Sequence, residues 1–438
     1  MILKQFFLFI YIFLFLPSEI FGQELNTVST SELKRLLIEG EYFQFSENMQ
    51  SKFGVIDSAL FSKSDGEDLF LLSWERFLFN KPLESNFCIE KLLHSKIFPT
   101  TDSVEAELLQ LHFQNDLRLF HYKTADSICT LLLFQYSSVL SAETKLGIKN
   151  TSQITAALEN IPPQTIERNG DVDIKFSRDL ANLIRIPVEI NSRTEDYIFD
   201  TGANFSTMSE SEAKKAGVKI LDADFGVTSS SRTTVNSKIG VAEQIQIGNA
   251  VFHNVVFLIL PDKSLKFAGG IYKIKGIIGF PVISQFQEIQ IHKNGHFISP
   301  QKQTESELQN LGVNGNTPFV NVSFYGTYHP YIFDTGAAAG ILSEQFQKTY
   351  SDSLKNFSES TSHVGGAGGV QKISTLRIEN LPYKMGGKSG KLKRATVQLS
   401  GASSALDGYN GLVGEDIFTQ WELMTINFDK MFVLLIDK

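Results

Sequence analysis

The chain contains one heptapeptide twice, and this duplication limits the folds that the sequence can adopt. Tyr-Ile-Phe-Asp-Thr-Gly-Ala occupies residues 197–203 and occurs again, without change, at residues 331–337. Each copy is followed at the same offset by a Ser-Glu pair. An apolar strand that ends in a carboxylate and a glycine delivers an acid to the edge of a sheet. Two such strands in one chain predict a pair of acids that meet in one cleft.

The similarity between the two segments continues downstream of the heptapeptide. An apolar-apolar-Gly element ends at Gly279, which is 79 residues after Asp200. A second element of this kind ends at Gly414, which is 80 residues after Asp334. A similar apolar strand follows each glycine. Matched spacing over this distance indicates that one β unit was duplicated and then diverged.

The first residues are typical of a secretory signal peptide, which we predict for residues 1–22. Lys4 supplies a positive charge, and the apolar run Phe6 to Leu16 follows it. This run is too short to span a bilayer as a helix, which needs about 20 residues. We therefore expect an exported protein, periplasmic or extracellular, with no membrane span after cleavage. A buried helix or an uncleaved anchor is the alternative.

Residues 24–160 predict an α-helical N-terminal domain, because apolar residues recur there at three- and four-residue spacings. Phe43, Phe79 and Phe120 stand in similar surroundings, at intervals of 36 and 41 residues. This recurrence favours stacked helical hairpins of the tetratricopeptide kind, and a plain helical bundle fits equally well. Nothing in the segment indicates catalysis, and its surface is a candidate docking site for a protein partner.

From about residue 165 onward, short apolar runs alternate with turn residues, which predicts a mostly β region. We expect a first lobe over residues 170–298 and a second lobe over residues 319–438. The polar segment 299–318 between them is predicted to be a linker. A chain of 438 residues is long enough for such a division into domains.

The paired motifs resemble the two halves of an aspartic protease. Ala203 and Ala337, after the glycines, make both copies similar to retropepsin-like enzymes of the bacterial type more than to pepsins. The resemblance implies a bilobal, mostly β acid protease fold that follows the helical domain. Because both halves lie in one chain, it also implies an active site that forms within a single chain.

The resemblance assigns the catalytic role to Asp200 and Asp334. Two carboxyls about 3 Å apart cannot both ionise, so they share one proton. The ionised member then takes a proton from water, while the protonated member donates to the substrate carbonyl. An isolated Asp-Thr-Gly is usually a turn, but two copies with matched elements downstream favour a catalytic pair.

Residues around the two acids are expected to support them. By the resemblance, the threonines hydrogen bond across the two lobes, and the first glycines let the loops approach closely, because glycine has no Cβ. The later glycines lie behind the acid loops and keep them rigid. The supporting residues are Thr201, Gly202, Gly279, Thr335, Gly336 and Gly414.

Such enzymes close a β-hairpin over the substrate, and each half of the chain contains a candidate segment. Residues 225–241 and residues 362–373 both lie between an acid and the later glycine. Neither segment contains a tyrosine, so the flap tyrosine of pepsins is absent. Glycine-rich loops are also common without such a role.

Other classes of function find no support in the sequence. The formal net charge of −8 argues against nonspecific nucleic-acid binding. His-Glu-x-x-His and Gly-x-Ser-x-Gly do not occur, and we expect neither a metal nor a cofactor. Cys88 and Cys129 are too few for a disulfide framework, and either one bridge or two free thiols fits the sequence.

The sequence therefore predicts an aspartic endopeptidase that hydrolyses bonds in a peptide or an unfolded protein. The alternative is a catalytically silent peptide-binding protein that keeps the protease fold. Retention of both acids and both threonines favours the enzyme, because binding alone does not need two carboxyls that share a proton.

Overall fold

An α-helical region precedes a β-rich region in the structure, as the sequence predicts. The computed structural model describes residues 28–95, 101–228, 234–366, 369–400, 406 and 408–437. The predicted signal peptide lies outside these residues. Within the described ranges, no helix is long and apolar enough to cross a membrane.

Three helices of the N-terminal region begin directly after a serine or threonine that acts as an N-cap. The side chains of Ser29, Thr101 and Ser141 accept hydrogen bonds from backbone N–H groups in the first turns of three helices, which stabilises each start. The helices of this region are α1 (Thr30–Glu39), α2 (Tyr42–Phe53), α3 (Ser58–Lys63), α4 (Gly66–Leu78), α5 (Pro82–Ser95), α6 (Asp102–Arg118), α7 (Tyr122–Gln135) and α8 (Ala142–Leu158).

The helical hairpins α1–α2, α4–α5 and α6–α7 share one turn geometry. Gly40, Asn80 and Phe120 each follow the first helix of a hairpin with a positive φ, of 75°, 60° and 59°. In each case the next backbone N–H donates to a carbonyl five residues earlier, which closes the helix end. These three turn residues recur at intervals of 40 residues. The regular repeat is therefore that of the turn and not that of Phe43, Phe79 and Phe120. Whether the hairpins stack in the tetratricopeptide manner stays a prediction.

The β-rich region contains strands from both halves of the duplication. The strands up to residue 299 are β1 (Thr165–Arg168), β2 (Val172–Lys175), β3 (Ser177–Arg178), β4 (Ile184–Ile190), β5 (Arg193–Phe199), β6 (Ser206–Ser209), β7 (Lys219–Thr228), β8 (Thr234–Ile247), β9 (Ala250–Leu260), β10 (Lys266–Phe267), β11 (Tyr272–Lys273), β12 (Gly276–Ile278), β13 (Glu288–His292) and β14 (His296–Ser299). The strands after residue 299 are β15 (Leu311–Asn314), β16 (Thr317–Phe324), β17 (Thr327–Phe333), β18 (Ile341–Leu342), β19 (Glu359–Gly366), β20 (Gly369–Met385), β21 (Lys388–Ser400), β22 (Gly411–Val413), β23 (Leu423–Asn427) and β24 (Phe432–Ile436).

Short helices interrupt the strands. They are α9 (Glu210–Lys215), α10 (Phe280–Ile283), α11 (Glu344–Thr349), α12 (Ser351–Leu354) and α13 (Glu415–Phe418). Helices α9 and α11 start after the two serines of the Ser-Glu pairs, whose hydroxyls accept backbone hydrogen bonds at the helix start. The serine at this offset therefore acts as an N-cap in both halves.

Two sheets repeat one strand arrangement. The first has the order β1-β9-β6-β12-β5-β4-β8-β7, and the second has the order β15-β16-β17-β22-β18-β21-β20-β19. In each, the strand that leads to the aspartate pairs in parallel with the short strand before the later glycine. That short strand also pairs antiparallel with the strand after the Asp-Thr-Gly turn. The duplicated sequence therefore builds a duplicated sheet core.

A third sheet joins the ends of the two halves. Its order is β2-β14-β13-β23-β24, and β13 pairs antiparallel with β23 from Glu288 with Asn427 to His292 with Leu423. The buried Glu288 carboxyl accepts hydrogen bonds from Asn427 and Thr304, so both of its oxygens have partners inside the junction. The strands that follow Gly279 and Gly414 thus lie side by side.

The predicted linker 299–318 is wrong in its second part. It contains β15 and the start of β16, and these two strands pair with each other. Leu311 and Val313 are fully buried in the sheet that this pairing extends. The first sheet also starts earlier than residue 170, because β1 begins at Thr165.

The two cysteines are buried free thiols. Burial raises the pKa of both Cys88 and Cys129 to about 12. Such thiols stay protonated at neutral pH and behave as small apolar residues. The sequence fits either one disulfide bridge or two free thiols, and the structure shows two free thiols.

The helical region packs tightly on the second sheet. The Phe319 ring lies 5.2 Å from the Tyr42 ring and 5.4 Å from the Phe43 ring, measured between centroids. Nearby, His329 Nδ1 lies 2.8 Å from a Glu41 carboxylate oxygen. One cluster of buried apolar residues includes members of the helices and of both sheets. The helices are therefore part of the same core.

We expect Phe319→Ala to destabilise the whole protein, because the substitution opens a cavity between α2 and the second sheet. The expected loss is about 3–5 kcal/mol of unfolding free energy. Urea denaturation followed by circular dichroism measures it. Phe134→Ala is the matched control, since that side chain is 85% exposed and its removal should cost at most about 0.5 kcal/mol. Equal effects of the two substitutions would contradict this packing.

Candidate active site

The sheets hold the two aspartates at equivalent positions. Asp200 follows β5, and its backbone N–H donates to the carbonyl of Ile278 at 3.0 Å. Asp334 follows β17, and its N–H donates to the carbonyl of Val413 at 3.1 Å. The short strand before each later glycine therefore fixes the backbone of the acid itself.

Two threonines join the acid loops by reciprocal hydrogen bonds. The N–H of Thr201 donates to Thr335 Oγ1 at 3.1 Å, and the N–H of Thr335 donates to Thr201 Oγ1 at 3.0 Å. The Thr201 hydroxyl donates in turn to the Phe333 carbonyl at 2.7 Å, and the Thr335 hydroxyl donates to the Phe199 carbonyl at 2.9 Å. Both side chains are fully buried. The four bonds fix the distance between the two loops.

The glycines after the threonines allow the two carboxyls to meet. A Cβ on Gly202 would lie 2.6 Å from Asp334 Cγ, and a Cβ on Gly336 would overlap Asp200 Cγ. Each carboxyl therefore lies over the glycine of the other half, where no side chain fits. The N–H of Gly202 donates to Asp200 Oδ1 at 2.9 Å, and the N–H of Gly336 donates to Asp334 Oδ1 at 2.8 Å.

The two carboxyls favour a state with one shared proton. Burial raises the pKa of Asp200 well above its ordinary value, and the charge of Asp334 and a hydrogen bond to it raise this pKa further. Burial also raises the pKa of Asp334, while hydrogen bonds from Gly336, Asp200 and Ala337 oppose that rise. Both pKa values are therefore raised, and the two carboxyls together hold one proton.

The later glycines close tightly behind the acid loops. A Cβ on Gly279 would lie 2.7 Å from the Ala203 carbonyl oxygen, and a Cβ on Gly414 would overlap the Ala337 carbonyl oxygen. The next residue in each half donates its N–H to that same carbonyl, at 2.9 Å in both cases. The six supporting residues expected from the sequence thus all lie around the two acids.

The site also contains an ion pair that the sequence analysis missed. Glu415, directly after Gly414, is fully buried, and its carboxylate lies 2.5 Å from the Arg178 guanidinium of the other half. Burial raises the pKa of Glu415 to about 7, Arg178 lowers it, and the charge of Asp334 raises it. The first half has Phe280 at this position. In an alignment of the two duplicated motifs, Glu415 corresponds to Phe280, and this replacement of an aromatic residue by an acid could have indicated the ion pair.

The two halves differ in a second polar contact behind the acids. The Ser206 hydroxyl accepts a hydrogen bond from the N–H of Gly279 at 3.1 Å in the first half. The corresponding residue of the second half is Gly340, whose N–H donates to Asp416 at 3.0 Å. The same backbone arrangement is therefore stabilised by different side chains.

Both predicted flap segments form β-hairpins. Strands β7 and β8 make the first hairpin, and β19 and β20 make the second. The tips, residues 229–233 and 367–368, lie outside the described residues. Across the parts that the structure describes, no group of three or more His, Cys, Asp or Glu side chains is placed to hold a metal ion.

Comparison with known proteins agrees with this geometry. Residues 186–282 match the aspartyl protease family. The matched segment contains Asp200 and Gly279. A search of curated proteins found no match. The crystal structure of a retropepsin-like aspartic protease from Rickettsia conorii is similar at 17% sequence identity, over 31% of this chain and 92% of that chain, with a TM-score of 0.21.

The family match confirms the resemblance to aspartic proteases for the first of the two Asp-Thr-Gly-Ala motifs. The first half of the β-rich region is thus similar to aspartyl proteases over residues 186–282. The second half repeats its acid, its threonine and its later glycine around the same centre.

We expect Thr201→Ala to destabilise the protein, because it leaves the Thr335 N–H and the Phe333 carbonyl without their partner. Each buried group left unpaired costs roughly 1–3 kcal/mol. Thr201→Ser is the matched control, since it keeps the hydroxyl and loses only a methyl group, worth roughly 1 kcal/mol. Thermal unfolding of the three proteins measures the difference. Equal losses for alanine and serine would contradict the role of the hydroxyl.

The pKa of Glu415 predicts a pH-dependent stability. Because burial raises this pKa from 4.5 to about 7, the folded state binds the proton more tightly than the unfolded state. The resulting stability is fully present below pH 4.5 and is lost as the pH rises to 7. Glu415→Gln removes this titration, so wild type should lose stability relative to the variant across that interval. Parallel melting temperatures of the two proteins from acid to neutral pH would contradict the raised pKa.

Proposed function

We propose that this protein is an aspartic endopeptidase that hydrolyses peptide bonds with a water activated by Asp200 and Asp334. The observation that carries the proposal is the opposed pair of partly buried carboxyls, each lying over the glycine of the other half. The raised pKa of both members supports it, because a pair that holds one proton supplies a base and an acid at the same place.

With the shared proton on Asp200, the pair supplies a base at Asp334 and an acid at Asp200; with the proton on Asp334, the two roles exchange. Asp334 accepts a proton from water as the water oxygen attacks the peptide carbonyl carbon, and Asp200 donates its proton to the carbonyl oxygen. In the second step Asp334 passes its proton to the peptide nitrogen, Asp200 takes back a hydroxyl proton, and the C–N bond breaks. The pair returns to one shared proton, and the apparent pKa values belong to both residues together.

The proposed architecture is bilobal, with the active site formed within one chain. A division into two lobes is supported by the two sheets of matching strand order, of which the first begins at β1 and the second at β15. The threonines and glycines around the acids are proposed to keep both carboxyls in register, since hydrolysis requires a precise geometry. A single chain then needs no partner subunit to complete the pair.

The substrate that suits this site is an extended peptide or an unfolded protein. The two hairpins, β7–β8 and β19–β20, are proposed to cover the peptide from either half. A lid of this kind excludes water other than the reacting molecule. The helical domain remains a candidate docking surface for a protein partner.

Export to the periplasm or the extracellular space is part of the proposal. It is supported by the charged and apolar pattern of residues 1–22. N-terminal sequencing of the protein secreted by a producing cell tests it, and a mature chain that begins at Gln23 is expected. A chain that retains Met1 would contradict cleavage.

The alternative is a catalytically silent protein that binds peptides through the same fold. Binding would be served by any residues that accept hydrogen bonds, and it would tolerate a neutral pair. Two partly buried carboxyls with raised pKa values cost stability at neutral pH. Their presence therefore favours the enzyme over the binding protein.

Asp200→Asn and Asp334→Asn should each reduce kcat/KM by on the order of 10³-fold or more, because each removes half of one functional unit. An unfolded protein substrate and a quenched fluorescent peptide measure this from about pH 3 to 7. Wild type should lose activity as the pH rises through the higher pKa of the pair, since the shared proton then leaves.

Asp352→Asn is the matched control, because this aspartate is exposed and should not alter cleavage. Circular dichroism checks that both active-site variants stay folded. Loss of activity in only one of the two variants would contradict the shared proton. Peptide binding without cleavage by wild type at every pH would favour the silent binding protein.

A further inference from the structure

We propose that the helical domain forms one end of the substrate cleft and recognises a substrate residue about four positions from the scissile bond. The inference rests on the proposed protease function and adds a specificity site to it. The site, called the outer pocket, is lined by α6, by α8, by Asn204 and Phe205, and by the turn between β15 and β16.

The outer pocket is a cavity of about 340 Å³. This volume suits one or two amino-acid side chains rather than a large ligand. Its walls come from three parts of the chain that lie far apart in sequence. A cleft end at which the helical domain and both β halves meet is a place where a bound peptide would touch all of them.

The position of Asn204 ties the pocket to the acids. Asn204 is the fourth residue after Asp200, so the two Cα atoms lie within roughly 14 Å of each other even for an extended chain. A bound peptide in a strand conformation advances roughly 3.3 Å per residue. A residue at most about four positions from the scissile bond is therefore within reach of Asn204 at the rim of the outer pocket.

Both halves hold the rim of the pocket in place. Asn316 Nδ2 donates to the Asn204 carbonyl at 3.1 Å, and Thr317 Oγ1 donates to Asn204 Oδ1 at 3.2 Å. A Cβ on Gly315 would lie 2.8 Å from Gln114 Oε1 of α6. The helix therefore contacts the β15–β16 turn directly, and the three walls form one structure.

The helical domain also reaches the hairpin above the cleft. One apolar cluster contains Ile154 and Leu158 of α8, Phe225 and Ile239 of the β7–β8 hairpin, and the partly buried Phe205. The same helix therefore packs on the acid loop and on the base of the candidate flap. The helical domain therefore contacts both the loop after Asp200 and the base of the β7–β8 hairpin.

The second half offers no similar pocket residues. The residues that correspond to Asn204 and Phe205 are Ala338 and Ala339, which are both exposed and carry only methyl groups. The duplicated backbone gives the cleft two equivalent ends, and the side chains at these two positions make the ends different. Recognition is therefore expected on one side of the scissile bond.

The lining of the outer pocket indicates which side chain it takes. Its polar members are amides and hydroxyls, its other members are apolar or glycine, and it contains neither an acid nor a base. A charged side chain would lose water there without gaining an ionic partner, which is unfavourable. We therefore expect a substrate with an uncharged polar residue such as glutamine or threonine at this position.

The experiment uses the full-length mature protein and a set of twelve-residue quenched fluorescent peptides, roughly matching the span of such a cleft. Glutamine, lysine or glutamate replaces one residue at a time, from the scissile bond outward on both sides. Wild type should prefer glutamine over both charged residues at three to five positions from the scissile bond, on one side only.

Gln114→Glu should change this preference, because it places a carboxylate in the outer pocket at almost the same volume. The ratio of kcat/KM for lysine over glutamate should rise roughly two- to fivefold at that position, as for a partly exposed ion pair. The same ratio should stay constant for charges next to the scissile bond. Gln135→Glu, on an exposed side chain of α7, is the control and should change neither ratio.

The outcomes separate the two proposals. Cleavage by wild type with equal lysine-to-glutamate ratios in Gln114→Glu and wild type would overturn the outer pocket and leave the protease proposal intact. Absence of cleavage by wild type would overturn the protease proposal instead. In that case fluorescence anisotropy with the same peptides decides the pocket, since the affinity ratio of lysine over glutamate peptides must still respond to Gln114→Glu.

Discussion

The reciprocal hydrogen bonds between Thr201 and Thr335 are the constraint on which the rest of the site depends. Each hydroxyl accepts an N–H from the opposite loop and donates to a carbonyl of the opposite strand. Because both side chains are fully buried, water does not compete for these groups. The bonds therefore set one separation between the loops, and that separation brings each carboxyl over the glycine opposite it.

The helical domain is bound to this centre through packing rather than through the chain connection alone. Helix α2 contacts the second sheet through Phe319, and α8 contacts the first half through the cluster around Phe225. Phe319 lies on β16, which pairs with the strand that leads to Asp334, and Phe225 lies on the β7–β8 hairpin. A domain packed in this way affects the shape of the cleft. We therefore propose that it contributes to substrate specificity.

Divergence after the duplication changed side chains and kept the backbone. Asp, Thr and Gly are the same in both halves, and the close approach of the loops leaves no room for a side chain at either glycine. Outside that contact, Phe280 corresponds to Glu415 and Asn204 corresponds to Ala338. The Glu415 carboxylate, paired with Arg178, adds a third titrating group behind Asp334. The electrostatics of the pair are thus asymmetric although its geometry is nearly symmetric.

The sequence by itself determined the helical and β regions, the duplicated acid motif and the residues around it, because local periodicity and an exact repeat are written in consecutive residues. The segment before β16 was predicted to be a linker because it is polar. Leu311 is buried there through the pairing of β15 with β16, which the local sequence does not indicate. Only the tertiary structure decided that Arg178 meets Glu415 and that Gln114 meets Gly315. Contacts between residues more than 200 positions apart follow from how sheets and helices pack together, and no local pattern encodes them.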